Sequence, residues 1–164
     1  MGIALWLSPS YAEQTLYDPQ SFIAEAYDDA PPKAKILWLD DTQVEDTETI
    51  LERPAPNHMR YWLKDGRSVW ILEQIGKYQP ITTGFVVDNG KIAQLKVLIY
   101  RESHGWEVKY PFFTDQFIGV TLQDMQSHKL NKDIDGIAGA TLSVRALIQL
   151  ATLALTLDNS LTHE

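Results

Sequence analysis

The sequence contains no cysteine, and this absence removes several classes of function at once. Without thiols the chain has no disulfide, thiolate metal site, iron–sulfur cluster or cysteine nucleophile. Histidine is scarce as well: the four histidines are scattered, and no two have the spacing of metal ligands on one helix. The sequence therefore predicts no metal site.

Basic residues are also few, because 14 lysines and arginines stand against 22 acidic residues, which gives a net charge of −8. A surface of this sign repels nucleic acids and anionic membranes, so neither is expected as a partner. A bound phosphate group is not excluded, since backbone N–H groups can hold phosphate without a basic side chain.

The chain has no internal repeat, no low-complexity segment and no uninterrupted apolar run of the ~20 residues that span a bilayer. Its length and its 45 % hydrophobic content fit one soluble domain, which we place at residues 13–164. Residues 1–12 have a short apolar stretch followed by Ser10 and Ala12, which resembles the end of an export signal. The stretch is short and no Lys or Arg precedes it, so an ordinary disordered or docked start, or a truncation, is the alternative.

Turn residues and hydrophobic patterns predict an α+β fold, with a twisted, mainly antiparallel sheet packed by helices. Hairpin turns are expected at residues 65–67 and 88–90, and Leu98 indicates burial on both faces of its strand. A small-residue loop then leads into a long apolar helix, which we expect to be buried in the core. The predicted helices are 18–26, 112–118 and 141–157; the strands are 35–39, 60–64, 68–72, 81–87 and 91–100; residues 40–52 form a loop or short helix, and 101–107 a polar turn.

The segment from Asp135 to Ser143 combines small residues with the start of that apolar helix. Gly139 permits unusual dihedral angles, and Ala138 and Ala140 leave room for a bulky group. The first turn of a helix has unpaired N–H groups and a partial positive charge, so a phosphate is stabilised there, beside the Thr141 hydroxyl. The simpler alternative is that Thr141 only caps the helix.

The pattern Asp135-x-x-Ala138–Gly139–Ala140–Thr141-x-Ser143 resembles the attachment motif of the FMN-binding domain family. This family includes the C subunit of the sodium-pumping NADH:quinone reductase and the G subunit of the Rnf electron-transport complex. By this resemblance a flavin transferase uses FAD to attach FMN to Thr141 as a phosphoester. Asp135 belongs to the recognition motif or forms a turn, and Ser143 is expected to bond the phosphate or a neighbouring amide. The family commonly has Ser or Thr where this chain has Ala138.

A second stretch, Glu102–Ser103–His104–Gly105, is similar to the Glu-to-Gly segment that follows a strand near the flavin in this family. Family members commonly have Thr-Pro before the Gly, and this chain has Ser-His. The resemblance implies that Glu102 accepts a hydrogen bond from the flavin or orders its loop. A hydrolase interpretation of Ser103 and His104 is disfavoured, because neighbours on an extended chain point to opposite sides.

Aromatic residues cluster just after Gly105, and we expect most of them to be core. Trp106 is the preferred candidate to cover a face of the isoalloxazine ring. The remaining members of the cluster are Tyr110, Phe112, Phe113 and Phe117.

The resemblance covers about residues 79–157 and is closest to stand-alone exported members of the family. It implies a bacterial, periplasmic or otherwise extracytoplasmic electron carrier with covalent FMN, in which the flavin supplies the redox chemistry. The expected partners are a flavin transferase, a membrane reductase or quinol-linked electron donor, and another redox carrier as acceptor. Two alternatives remain: a non-covalent FMN-dependent reductase of a small acceptor, and a binding or sensory module without flavin.

Overall fold

The structure is a computed structural model that describes residues 13–161. The proposed export-signal remnant at residues 1–12 lies outside the described residues. The strands are β1 (Gln14–Thr15), β2 (Lys35–Trp38), β3 (His58–Lys64), β4 (Arg67–Ile75), β5 (Pro80–Asp88) and β6 (Lys91–Tyr100). The helices are α1 (Pro19–Ala26), α2 (Asp41–Leu51), α3 (Pro111–Thr114) and α4 (Thr141–Ser160), with 3₁₀ turns at Trp106–Lys109 and Asp115–Phe117.

The six strands form one antiparallel sheet in the order β1-β6-β5-β4-β3-β2, which confirms the predicted α+β class. Both predicted hairpins are present, with Asp65–Gly66 and Asn89–Gly90 as their turns. All four of these residues have positive φ, between 51° and 76°, as the favoured two-residue hairpin turns require. The outer strands of the sheet are therefore β1 and β2.

Alternation along the central strands sends side chains to two different cores. On β4, Trp70 and Leu72 face α4 and the larger core, while Val69 faces α1. Gly84 on β5 admits the Phe22 ring of α1, since a Cβ there would lie 2.5 Å from a ring carbon. Leu98 belongs to the α1 core, so the predicted burial of both faces of β6 is confirmed.

Of the two alternatives predicted for residues 40–52, a loop or a short helix, the helix is confirmed: α2 runs from Asp41 to Leu51, with Asp40 and Glu52 as its caps. The Asp40 side chain accepts a hydrogen bond from the Gln43 backbone amide at 2.8 Å, and the Gln43 side chain accepts one from the Asp40 backbone amide at 2.9 Å. This is a capping box, a sequence signature of helix starts. The acidic composition of the segment and the two prolines after it obscured that signature.

Helix α4 is long and apolar enough to cross a membrane by length and composition, but most of its side chains are buried in the fold. A buried polar network holds its C-terminal end to β4. Ser68 donates to Asp158 at 2.6 Å and accepts from the Trp70 indole at 2.8 Å. The helix is thus fixed against the sheet, and its first turn lies beside the loops that follow β4 and β6.

Tyr27 makes one testable contribution to stability. Its hydroxyl lies 2.9 Å from the carbonyl oxygens of both Trp62 and Arg67, and burial raises the pKa of Tyr27. The unfolded chain loses this proton near pH 10, the ordinary value, while the native state retains it. Stability is therefore fully present below pH 10 and falls as pH rises toward the raised pKa, by about 1.4 kcal/mol per pH unit for one such group.

We expect Tyr27→Phe to reduce the fall of the free energy of unfolding above pH 10 by about 1.4 kcal/mol per pH unit. Urea unfolding at several pH values above 9 measures this slope. At neutral pH the variant costs about 1 kcal/mol, because one hydrogen bond is lost. The exposed Tyr78→Phe is the matched control for the substitution itself. An unchanged alkaline slope in Tyr27→Phe would show that the titration lies elsewhere.

Candidate functional site

The start of α4 is open. Ala140 is the N-cap residue, and no side chain in the described part of the chain caps the helix. Thr141 is the first helical residue, it is exposed, and its hydroxyl makes no hydrogen bond to any residue in the range 13–161. The interpretation that Thr141 caps the helix is therefore wrong. The first N–H groups of a helix have no partner within the helix, so this end retains donors and a partial positive charge.

A cleft of about 220 Å³ lies at this helix start. It brings together residues from three regions that are distant in sequence: the loop after β4, the loop after β6, and the loop before α4 with the first turn of that helix. Six of the ten predicted site residues line it: Glu102, Gly105, Gly139, Ala140, Thr141 and Ser143. The two stretches singled out in the sequence thus meet in one place.

Four predicted residues lie outside this cleft. Ser103 lines an adjoining cavity of about 360 Å³. Asp135 is exposed, and its backbone exchanges hydrogen bonds with the Gln116 side chain at 2.8 and 3.3 Å. Ala138 is exposed in the loop, and Trp106 is exposed on the 3₁₀ turn after Gly105. Their proposed roles toward a cofactor remain predictions.

The Glu102 carboxylate organises the loop between β4 and β5. Its Oε1 accepts hydrogen bonds from three successive backbone amides, Lys77, Tyr78 and Gln79, at 2.7, 2.5 and 2.7 Å. A cluster of amides pointing at one anion is a stable arrangement, because each bond is charge-assisted. Of the two roles expected for Glu102, ordering a loop is the one visible in the fold, although the loop is that of residues 76–79.

We expect Glu102→Ala to lower the free energy of unfolding by about 3 kcal/mol, because several bonds to a charged acceptor are lost together. Glu102→Gln keeps an acceptor oxygen without the charge, so its loss should be smaller. Urea unfolding measures both, with the exposed Glu45→Gln on α2 as control. If Glu102→Ala is no less stable than Glu45→Gln, the carboxylate does not hold this loop.

Gly105 lies where the loop after β6 presses against α4. Its φ of +78° favours glycine, and a Cβ there would lie 2.5 Å from the Ser143 Oγ and 2.9 Å from the Tyr100 Oη. The Tyr100 hydroxyl donates to the His104 carbonyl and lies 3.2 Å from Ser143 Oγ. Burial raises the pKa of Tyr100, so this hydroxyl stays a donor well into alkaline solution. These contacts hold the loop after β6 against the first turn of α4.

The argument that Ser103 and His104 point to opposite sides is wrong. The chain bends at these two residues, and Ser103 Oγ lies 2.8 Å from His104 Nδ1. Opposite orientation holds for extended strands and does not apply at a bend. Both side chains are exposed, and in the described part of the chain no carboxylate hydrogen-bonds the other ring nitrogen of His104.

The expectation that most of the aromatic cluster is core is also wrong. Phe113 and Phe117 are buried, whereas Trp106, Tyr110 and Phe112 are exposed. The exposed rings contact one another, with 5.6 Å between the Trp106 and Tyr110 centroids. In place of the predicted helix 112–118, the chain forms α3 followed by a 3₁₀ turn. Within these two short elements, Phe113, Thr114 and Phe117 are buried.

Three residues that line the cleft are outside the predicted set of site residues: Lys77, His104 and Leu142. His104 and Leu142 lie within the two segments that resemble the family, so only Lys77 was missed entirely. Lys77 lines the cleft and, with Glu102 and His104, the adjoining cavity; its ammonium group lies 5.1 Å from the centre of the Tyr78 ring. No motif in the sequence marks Lys77, because it reaches the site only through the amide cluster on Glu102. A Lys directly after a strand-ending Gly is the only local signal, and it is not specific.

A family model described as FMN-binding domain matches residues 76–156. The match begins at Gly76, at the end of β4, and contains all the residues that line the cleft. No curated protein matches the chain.

Proposed function

Through residues 76–156 the chain belongs to the FMN-binding domain family, and on this premise we propose that it carries FMN covalently, as a phosphoester of Thr141, and transfers electrons. The family membership supports flavin binding. The covalent bond, the attaching transferase and the location outside the cytoplasm are parts of the proposal.

The observation that carries the proposal is the environment of the Thr141 hydroxyl. This hydroxyl is exposed, has no hydrogen-bond partner among the described residues and opens into the cleft. A nucleophile that a second enzyme must reach has to be accessible in this way. The small neighbours Gly139 and Ala140 leave the approach to it unobstructed.

The residues present fit a flavin phosphate. The uncapped start of α4 offers backbone N–H donors, and Lys77 offers a cation for the single negative charge of a phosphodiester. The cleft and the larger cavity share Lys77, Glu102 and His104 as lining residues, so a flavin anchored at Thr141 could extend from one to the other. Ser143 would hold the phosphate end, while Lys77 and His104 border both parts of the site.

Bound FMN supplies one- and two-electron redox chemistry, and the chain's residues hold and orient it. We propose as donor a membrane reductase or quinol-linked partner, and as acceptor another redox carrier. The net charge of −8 favours basic patches on these partners, and their contacts would be small and transient. A covalent bond suits a carrier outside the cytoplasm, where lost FMN is not readily replaced.

The test is the intact mass of the denatured protein after coexpression with a bacterial flavin transferase. We expect the mass of one FMN phosphoester and a yellow protein that keeps its colour in denaturant. Flavin that is released in denaturant would instead indicate a non-covalent FMN-dependent protein. A colourless, unmodified protein would refute the proposal if a known acceptor is modified in parallel.

A further inference from the structure

The strand β2 lies at the opposite end of the sheet from β1 and contributes no residue to the cleft, and its side chains include exposed apolar ones. Among the strands of residues 13–161, β2 pairs only with β3. On this edge strand Ile36 and Trp38 are 51 % and 68 % exposed, although both are large hydrophobic residues. They share one face of the strand, and α1 packs on the sheet without reaching them. Native edge strands are usually protected against pairing, so an exposed apolar edge points to a partner.

The hydrogen-bonding pattern fixes which peptide groups of β2 are available. The Leu39 amide donates to the Asn57 carbonyl at 3.1 Å, so residues 39 and 57 form a hydrogen-bonded pair. In an antiparallel ladder such pairs alternate, and Leu37 is therefore also bonded to β3. The N–H and C=O groups of Ile36 and Trp38 consequently point away from the sheet, along the free edge.

The charges at the two ends of this segment are complementary to each other. Lys33 and Lys35 stand at its start, and Asp40 and Asp41 at its end. Lys33, Lys35 and Asp41 form no ion pair with any residue in the described part of the chain. A segment with opposite charges at its two ends is complementary to an antiparallel copy of itself.

We propose that β2 pairs with β2 of a second copy of this chain around a two-fold axis at Leu37. In that register Ile36 of one copy lies opposite Trp38 of the other, so the four outward peptide groups of each copy are satisfied. The two Ile36–Trp38 pairs form one apolar cluster. Beyond the ends of the paired strands, Lys33 of one copy lies near Asp41, the first residue of α2, of the other copy. Such an interface is isologous and closes as a dimer.

The dimer is weak, because pairing one short strand buries far less than the roughly 800 Å² per partner of a stable interface. We therefore expect dissociation constants in the micromolar to millimolar range, measured by sedimentation equilibrium over that range of protein concentration. The partner is argued from β2 alone, so this inference does not depend on the proposed function.

Charge exchange tests the register directly. Lys33→Asp places two carboxylates opposite each other, and Asp41→Lys places two ammonium groups opposite each other. Since each contact occurs twice in the dimer, either change should weaken association by about tenfold. The double variant restores opposite charges and should recover the affinity of the wild type.

A second variant, Ile36→Lys, removes the apolar contact at an exposed position and should abolish dimerisation while the monomer keeps its melting temperature. Two outcomes would overturn the proposal. One is a wild-type chain that stays monomeric up to millimolar concentration; the other is a double charge variant as weak as the single variants, which would rule out this register.

Discussion

After coexpression with a flavin transferase, we expect the Thr141→Val protein to carry no covalent flavin, whereas the Thr141→Ser protein is still modified. The reason is the oxygen atom. In the proposed step the Thr141 Oγ forms a new bond to the FMN phosphorus of FAD, the pyrophosphate bond breaks, and AMP leaves as the proton is lost from the hydroxyl. Valine has the same branched shape but no oxygen. Intact mass after denaturation gives the loaded fraction of each variant.

Stability is the control for this comparison. Because Thr141 is exposed and makes no hydrogen bond in the described structure, Thr141→Val should change the free energy of unfolding by no more than about 0.5 kcal/mol. A folded but unmodified valine variant then isolates the chemistry from the fold. If the valine variant carries as much covalent flavin as wild type, the anchor is another hydroxyl, and peptide mapping would locate it.

Much of the fold follows from local sequence signals. Asn89 and Gly90 both have positive φ, as the central residues of a type I′ hairpin turn do, and Asn-Gly is a favoured sequence for that turn. The start of α1 is equally local, since Asp18 accepts from the Ser21 amide at 2.8 Å and Pro19 occupies the first turn. These features depend on neighbours in sequence, which is why they could be predicted.

The candidate site is only partly local. The Thr141 and Glu102 segments were identified by resemblance, and the structure places both on one cleft. Lys77 was missed because its position depends on a hydrogen bond between its amide and Glu102, 25 residues away. Long-range contacts of this kind leave no periodic pattern or short motif in the sequence.

The prediction that most of the aromatic cluster after Gly105 is buried was wrong for a related reason. Composition cannot distinguish a buried ring from an exposed one in a segment that switches between short helical turns. Phe113 faces the sheet and is fully buried, whereas its neighbour Phe112 is 66 % exposed. The choice between them depends on how the segment 106–118 lies against β6, which the sequence alone does not determine.

Gly105→Ala is the second substitution with a large expected effect. The resemblance placed Gly105 near the flavin, and the structure gives it a packing role as well. An alanine Cβ would lie 2.5 Å from Ser143 Oγ at a backbone φ of +78°. We expect a loss of about 3 kcal/mol in the free energy of unfolding, from left-handed strain of 1–2 kcal/mol and overpacking of similar size.

Two variants separate these contributions. Gly119 has nearly the same φ, +79°, and nothing lies within 4 Å of an added Cβ, so Gly119→Ala measures the dihedral strain alone, about 1–2 kcal/mol. Ser143→Ala removes the oxygen that an alanine at position 105 would strike, so the double variant should recover about 1–2 kcal/mol relative to Gly105→Ala. Equal losses for Gly105→Ala and Gly119→Ala would show that close packing against α4 contributes nothing. A larger loss for Gly105→Ala than for Gly119→Ala would show that Gly105 lets the loop after β6 lie against the start of α4. The cleft then exists because these two segments can approach that closely.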